Sequence, residues 1–454
     1  MEFRFERNEG HSRGSLNAET RREATREIAD GRMSQEQNQI YRRLIRWVLI
    51  VGAAIVIVGV NLYNFREHLF STGLVAPGQA SRDKAATIAE KWQFTQSGPV
   101  SAALALGDDG TVYAASEDGY LYALDAAGNL RWKFNAGPMQ VAPVLGADDT
   151  IYVTNEEQSI FAVNHNGTQQ WVAGGGPYAD KRMGSFSAAI DQAYLYAPWR
   201  GLLRAVRLTY GTFAWPAGYG YQNGGSVIKL ANGLIVYTGA GRLDAVDSTG
   251  RIQWQYPVMD PPLTVDMLTK NGGHIPVGNF LLDSPMAVGD DGTLYFCAVD
   301  SRLVALTSDG HFTWEFKTKT HSVNHAAPVI AADGTIYFAS GDGTIYALFP
   351  NGRLKWASDA GGGPISAAPV LAQDGTIYAV NGSGLFAVSA EGKLLVQAAV
   401  GGSVDSSPTI APDGTVYVAG RAGRIVAFSG THGGLLNSAW PKFQAGPGNS
   451  GRGR

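Results

Sequence analysis

A tyrosine that recurs about every forty residues, a tryptophan at a fixed distance behind it, and turn dipeptides between short apolar runs predict an all-β fold. The expected architecture is an eight-bladed β-propeller of four-stranded antiparallel blades, preceded by one N-terminal transmembrane helix. The clearest unit is NHAAPVIAADGTIYFASGDGTIYALFPNGRLKW, residues 324–356. Its apolar runs through Ile330, Tyr337, Leu348 and Trp356 are separated by Asp333-Gly334, Asp342-Gly343 and Asn351-Gly352. Such dipeptides between runs rich in Ile, Tyr and Phe predict type I′ hairpin turns, with positive φ at both central residues. One four-stranded meander cannot bury both its faces, so it requires neighbours of its own kind.

Eight units are present. Their second-strand tyrosines are Tyr113, Tyr152, Tyr196, Tyr237, Tyr295, Tyr337, Tyr378 and Tyr417, at intervals of 39, 44, 41, 58, 42, 41 and 39 residues. The tryptophan expected on the fourth strand follows by 19 residues in five units, at Trp132, Trp171, Trp215, Trp314 and Trp356. Tyr237 and Trp254 are 17 apart, and the seventh unit has Val396 where the tryptophan belongs. Stacked four-stranded units of this kind form a closed ring.

Ahead of the ring, residues 1–43 are polar and charge-balanced and read as a cytoplasmic tail. Residues 44–63, LIRWVLIVGAAIVIVGVNLY, carry no charge from Trp47 to Tyr63, and that stretch is long enough to span a bilayer. Arg42, Arg43 and Arg46 flank its first end, which places the tail inside and the ring outside the cytoplasm. A cleaved signal peptide is the competing reading, with Gly78-Gln79-Ala80 as the cleavage site. Residues 64–90 read as a linker with a short helix around 84–91. The net charge of −3 argues against nucleic acid as a partner. The single cysteine, Cys297, excludes an internal disulfide and a Cys-rich zinc site.

The ring occupies residues 91–443, with 444–454 left as a flexible tail. Lys91-Trp92-Gln93-Phe94 matches the fourth-strand ending Arg131-Trp132-Lys133-Phe134 but has no preceding strands of its own. The eighth unit has three good strands and a diluted fourth. Trp92 is therefore expected on the outside of the last blade, closing the ring and protecting its edge. The alternative is that residues 435–440 supply that strand.

The repeats, of the form APV–DGTIY–DG–LYAL–G–L–W, resemble those of the quinoprotein (pyrroloquinoline quinone) dehydrogenase-type propellers over about residues 91–443. The C-terminal SAWPKFQAGPGNSGR is similar to a Trp-Pro-x-Phe segment of bacterial members. The resemblance implies inter-blade packing for Trp132, Trp171, Trp215, Trp254, Trp314 and Trp356. It also implies one of two functions. The quinone-dependent enzymes hold cofactor and calcium in the ring centre, and the alcohol-oxidising branch places a vicinal disulfide over the quinone. The other branch includes the eight-bladed lipoprotein of the outer-membrane β-barrel assembly machinery, a scaffold without chemistry. One cysteine cannot form the vicinal disulfide, so the scaffold branch is the expectation, with no cofactor and no enzymatic activity. The departure from that branch is the helical anchor in place of a lipid.

Chemistry-bearing motifs are few. The recurring Asp-Gly turns point apart around a ring and do not converge as calcium ligands do. His321 and His325 lie about 13 Å apart in extended chain and lack a third ligand nearby. Two places read as partner-binding surfaces. One is a ring of polar residues near the start of the inner strands: Gln140, Asp283, His325 and Asp405, with Ser101 and Ser366 equivalent. The other is the long connection at 258–282, which mixes Met267 and Phe280 with Asp260, Asp266, Lys270 and His274. The expected function is a membrane-anchored, extracytoplasmic scaffold for other envelope or membrane proteins, without nucleic-acid or small-molecule ligands. The alternatives are a quinone-dependent dehydrogenase and a glycan- or peptide-binding protein.

Overall fold

A computed structural model describes residues 86–174, 187–199, 202–215, 219–220, 226–239, 242–257, 285–298, 302–319, 326–359, 363–382, 384–430, 433–438, 441–442, 445–446 and 449. The tail at 1–43, the apolar run at 44–63 and the connection at 258–282 lie outside these residues. Among the described residues no helix is long and apolar enough to cross a membrane. Among the described residues the strands form eight sheets, one per blade, each built on four antiparallel strands. Blade 1 is representative: Ala105–Leu106, Val112–Ala115, Tyr120–Leu124 and Leu130–Asn135, in spatial as well as chain order. The middle two strands are almost wholly buried and the fourth alternates exposed with half-buried, as expected of sheets stacked face to face.

The 19-residue offset has a simple cause. Tyr113 pairs with Ala123, and Ala123 with Trp132, so the three form one row across strands two, three and four. The small alanine lets the two rings meet over it, with centroids 5.9 Å apart. The same contact recurs at Tyr152–Trp171, Tyr196–Trp215, Tyr295–Trp314 and Tyr337–Trp356. Tyr237 breaks the pattern. It pairs with Asp244, while Val236 takes the row with Ala245 and Trp254. Tyr237 packs with blade 3 instead. Tyr237 stands one residue past the row position that Val236 takes, and one residue along a strand is a change of sheet face. Trp215 also departs from expectation. It follows a single bridge at Phe213, and the fourth strand of blade 3 is the short Tyr219–Gly220.

The turns between first and second strands are not type I′. In blade 6, Gly334 donates its N–H to Ala331 O, Ala331 donates to Thr335 O, and only Gly334 has positive φ. This is a type I turn followed by a glycine bulge. Asp333 stays in ordinary φ because its carboxylate accepts the Thr335 N–H at 2.9 Å. Asp109, Asp291, Asp374 and Asp413 do the same. Burial pushes the Asp109, Asp333 and Asp413 carboxyls up, but the bonds from Thr111, Thr335 and Thr415 hold them below the usual carboxylate range.

Blade 2 lacks the glycine, and Asp149 takes its place at φ 60. An L-residue in that region costs about 1–2 kcal/mol, partly offset in glycine by its looser unfolded chain. Asp149→Gly is expected to raise stability by about 0.5–1 kcal/mol in urea unfolding. An unchanged or lower midpoint would mean the aspartate is held there by something other than backbone geometry.

Two short strands seal the ring. Strand β1 is Ala86–Thr87 and strand β2 is Glu90–Thr95. β2 pairs antiparallel with Arg424–Phe428 and completes blade 8 from the other end of the chain. β1 lies parallel on the outer strand of blade 7, making that sheet five-stranded. These residues were expected to form the helix around 84–91. Pairing with two sheet edges outweighs the local helical preference of a segment too short to nucleate alone. Residues 435–440 do not supply the closing strand.

Seven of the eight seams between blades carry a tryptophan. Trp92, Trp132, Trp171, Trp215, Trp254, Trp314 and Trp356 each donate the indole N–H to a carbonyl in the turn between strands three and four of the following blade, at 2.6–3.1 Å. The indole lies against a glycine of positive φ in that turn. A Cβ at Gly128, Gly167, Gly211, Gly310, Gly352 or Gly392 would sit 2.5–2.7 Å from the ring. Only the seam from blade 7 to blade 8 lacks the pair. There the chain arrives from outside the ring, and Ser429 N–H bonds Ala89 O just as Asp125 N–H bonds Asn129 O in blade 1. By that register Ile88 occupies the glycine's position, and it is buried beside Val396. An isoleucine leaves no room for an indole, which is why the seventh unit has valine.

Candidate functional site

Of the polar residues near the start of the inner strands, Ser101, Gln140 and Asp405 are tied down, while Ser366 is exposed. In blades 1, 2 and 8 the backbone of the second-to-third-strand turn docks on the chain entering the same blade: Glu117 N–H on Pro99 O, Glu156 N–H on Pro138 O, and Arg421 N–H on Ser403 O, at 2.8–3.0 Å. The side chains repeat this link. Ser101 Oγ donates to Glu117 Oε1 at 3.0 Å, Gln140 Nε2 donates to Glu156 Oε1 at 3.3 Å, and Arg421 Nε donates to the Asp405 carboxylate. Each pair joins residues sixteen apart in one blade. The Asp405 carboxylate, and more weakly Glu117 in blade 1, hold the Arg421 guanidinium more firmly charged than usual. Blades 8, 1 and 2 thus present a continuous polar sector at this mouth. His325, Asp283, Asp260, Asp266, Met267, Lys270, His274 and Phe280 lie outside the described residues.

At the first-to-second-strand turns the ring has one charged position that its repeats otherwise keep small. Asp191 in blade 3 stands where six of the other blades have Gly107, Gly146, Gly289, Ala331, Ala372 and Ala411, and Lys229 of blade 4 stands one residue earlier in the repeat, level with Leu106 of blade 1. They form an ion pair across the seam, with side chains 15% and 25% exposed, respectively. Burial pushes the Asp191 carboxyl up, but Lys229, the Ala193 and Tyr194 N–H groups and the Tyr196 hydroxyl bring it below the usual range. A cleft of about 410 Å³ opens beside the pair, lined also by Tyr194, Leu230 and Ser248. All the polar atoms of the Asp191 carboxylate are already used. We read this pair as a structural link between blades.

The ring centre holds the chain's own C-terminal residues. The sequence alone gives residues 444–454 as a flexible tail. Ala445 and Asn449 are instead buried, and so is Lys442. Asn449 Nδ2 donates to Leu104 O in blade 1 at 3.2 Å and to Pro143 O in blade 2 at 3.1 Å. Ser438 Oγ reaches Ile330 O in blade 6 at 2.6 Å. A segment rich in glycine and proline carries no strand or helix period, so nothing local in it marks it as core. Among the described residues no three His, Cys, Asp or Glu side chains group as metal ligands do.

The family model described as outer membrane protein assembly factor BamB matches residues 82–233 and 239–450. Among solved structures, the chain is similar to BamB from Moraxella catarrhalis, at 16% identity and a TM-score of 0.59, covering 76% of this chain and 99% of that one. It is also similar to the computationally designed Ika8 protein, at 12% identity and a TM-score of 0.58, covering 74% and 98%. At such identities the structural likeness speaks to the fold alone. No curated protein matches the sequence.

Proposed function

On the premise that this chain belongs to the outer membrane protein assembly factor BamB family, we propose that its propeller is a protein-binding scaffold without catalytic chemistry. One observation carries the reading: the ring centre is filled from within. The quinone-dependent enzymes whose repeats these resemble hold their cofactor in the ring centre. Here Lys442, Ala445 and Asn449 are buried there, and Asn449 is tied to the inner carbonyls of blades 1 and 2. The strands are used up in blade packing, which leaves turns and connections for partners. The polar sector of Gln140, Glu156, Glu117, Arg421 and Asp405 is one proposed contact. The connection at 258–282 is the other, with Asp260, Asp266, Met267, Lys270, His274 and Phe280 as its contact residues and with Asp283 and His325 nearby.

The apolar run at 44–63 would anchor this scaffold, and the flanking arginines would put the ring outside the cytoplasm. A C-terminal alkaline phosphatase fusion is then active; an inactive one reverses the orientation. Replacing residues 260–280 with a short Gly-Ser linker is expected to leave the melting temperature unchanged while lowering recovery of the co-purifying partner about tenfold. Lower stability with recovery intact would make the connection a plug. One-to-one uptake of pyrroloquinoline quinone with calcium, and dye-linked alcohol oxidation, would replace the scaffold reading with an enzymatic one.

A further inference from the structure

The C-terminal segment sits in the ring in the manner of a bound peptide. Each of the eight sheets has its four strands without it. After Phe428, the end of the third strand of blade 8, the chain turns back onto the first strand of blade 7. Leu435 bridges antiparallel to Ala372. Leu436 N–H donates to Leu371 O at 2.8 Å, while Gln373 and Leu371 donate to Gly434 O and Pro441 O, each at 2.9 Å. This is strand addition to an inner sheet edge, in which main-chain bonds supply the affinity. Farther on, Ser438 and Asn449 reach carbonyls in blades 6, 1 and 2, and Ala445 packs in the apolar cluster that holds Ile228 and Val288.

The segment also brings its own polar partner. Lys442 is fully buried, and its amine donates to Asn449 Oδ1 at 2.8 Å. Burial lowers that amine from 10.5 to about 7, and no charged group among the described residues contributes. The ring therefore supplies a seat of carbonyls and aliphatic side chains, with no charge that selects one sequence.

We propose that the ring centre is a peptide-binding site, and that the C-terminal residues described there, 433–438, 441–442, 445–446 and 449, are its resident occupant, held in cis. The same seat accepts a segment from another polypeptide that pairs briefly on blade 7 and then turns, as the chain does where Ala445 N–H bonds Lys442 O and Asn449 N–H bonds Gly446 O, with small or aliphatic side chains and a carboxamide that reaches Leu104 O and Pro143 O. This shares with the scaffold reading the observation that the ring centre is filled, but peptide exchange and recovery of an outer partner are separate measurements, and either can fail alone.

The test uses the full chain with a protease site inserted between Thr431 and His432, cut after purification. A fluorescent synthetic peptide of residues 433–450 is then added and followed by anisotropy. It is expected to exchange into the cut protein and not into the uncut one. The Asn449→Ala peptide is expected to bind about tenfold more weakly, having lost two ring contacts. The amine holds its proton less tightly when bound than when free. Affinity is therefore level below pH 7, rises up to tenfold per pH unit above it, and levels off near the free value of 10.5. The Lys442→Met peptide should bind more tightly at pH 7 and lose that rise. The proposal is overturned if the cut segment leaves only when the ring unfolds, at one denaturant midpoint for anisotropy and tryptophan fluorescence. It is equally overturned if a ring freed of the segment refuses the peptide. Should the cut protein not survive, Asn449→Ala in the uncut chain decides by amide exchange. Faster exchange confined to residues 433–449 supports a separable occupant, and faster exchange throughout the ring refutes it.

Discussion

Deleting residues 86–95 abolishes cooperative folding of the ring. The deletion removes β2, the outer strand of blade 8, and leaves Arg424–Phe428 as an unpaired edge. It removes the Trp92 indole, which bonds Ala126 O and meets the Tyr417 ring at 5.6 Å. It also removes Phe94, which packs edge-on against Tyr122 of blade 1 at 5.9 Å. Truncating a packed Phe or Trp costs about 3–5 kcal/mol each. Against a total stability of about 5–15 kcal/mol, the two together with a lost strand are decisive. Residues 435–440 cannot take over, because Leu435 and Leu436 are held on blade 7. Circular dichroism of the truncated ring should show no sigmoidal thermal transition. A transition within a few degrees of the intact ring would mean that closure does not depend on this strand.

Val396→Trp destabilises the ring by about 3 kcal/mol, although it restores the repeat consensus. At six other seams the indole has a glycine to lie on; here it meets Ile88. Ile88→Gly alone also destabilises, by about 2–4 kcal/mol, because it empties a buried aliphatic site. The two together are expected to cost at least about 2 kcal/mol less than their sum, since the indole then has the space its counterparts use. Urea unfolding of the four proteins measures this coupling. Strict additivity would show that the two side chains do not compete for one place.

The same seam separates what was legible in the sequence from what was not. The repeat was legible because each hairpin is a local matter. Turn dipeptides, the period-two apolar runs and the Tyr–Ala–Trp row all act within about twenty residues. The blade count and the closing role of Trp92 followed from the same local patterns. The turn type did not, because the Asp carboxylate competes for the Thr N–H and lets a type I turn with a glycine bulge replace type I′. The partner-binding residues proposed at 258–282 lie outside the described residues, and Gln140 and Asp405 proved to be clamped within their own blades.

By itself, the sequence determined an all-β ring of eight four-stranded sheets and the positions of its tryptophans. Only the tertiary structure decided why Val396 is not a tryptophan, which face Tyr237 takes, and that Lys442 and Asn449 lie in the ring centre. Those outcomes depend on contacts such as Asn449 to Leu104, 345 residues apart in the chain. Local periodicity carries information about a strand and its neighbour; it carries none about which distant surface will fill a seam or a channel once the ring has closed.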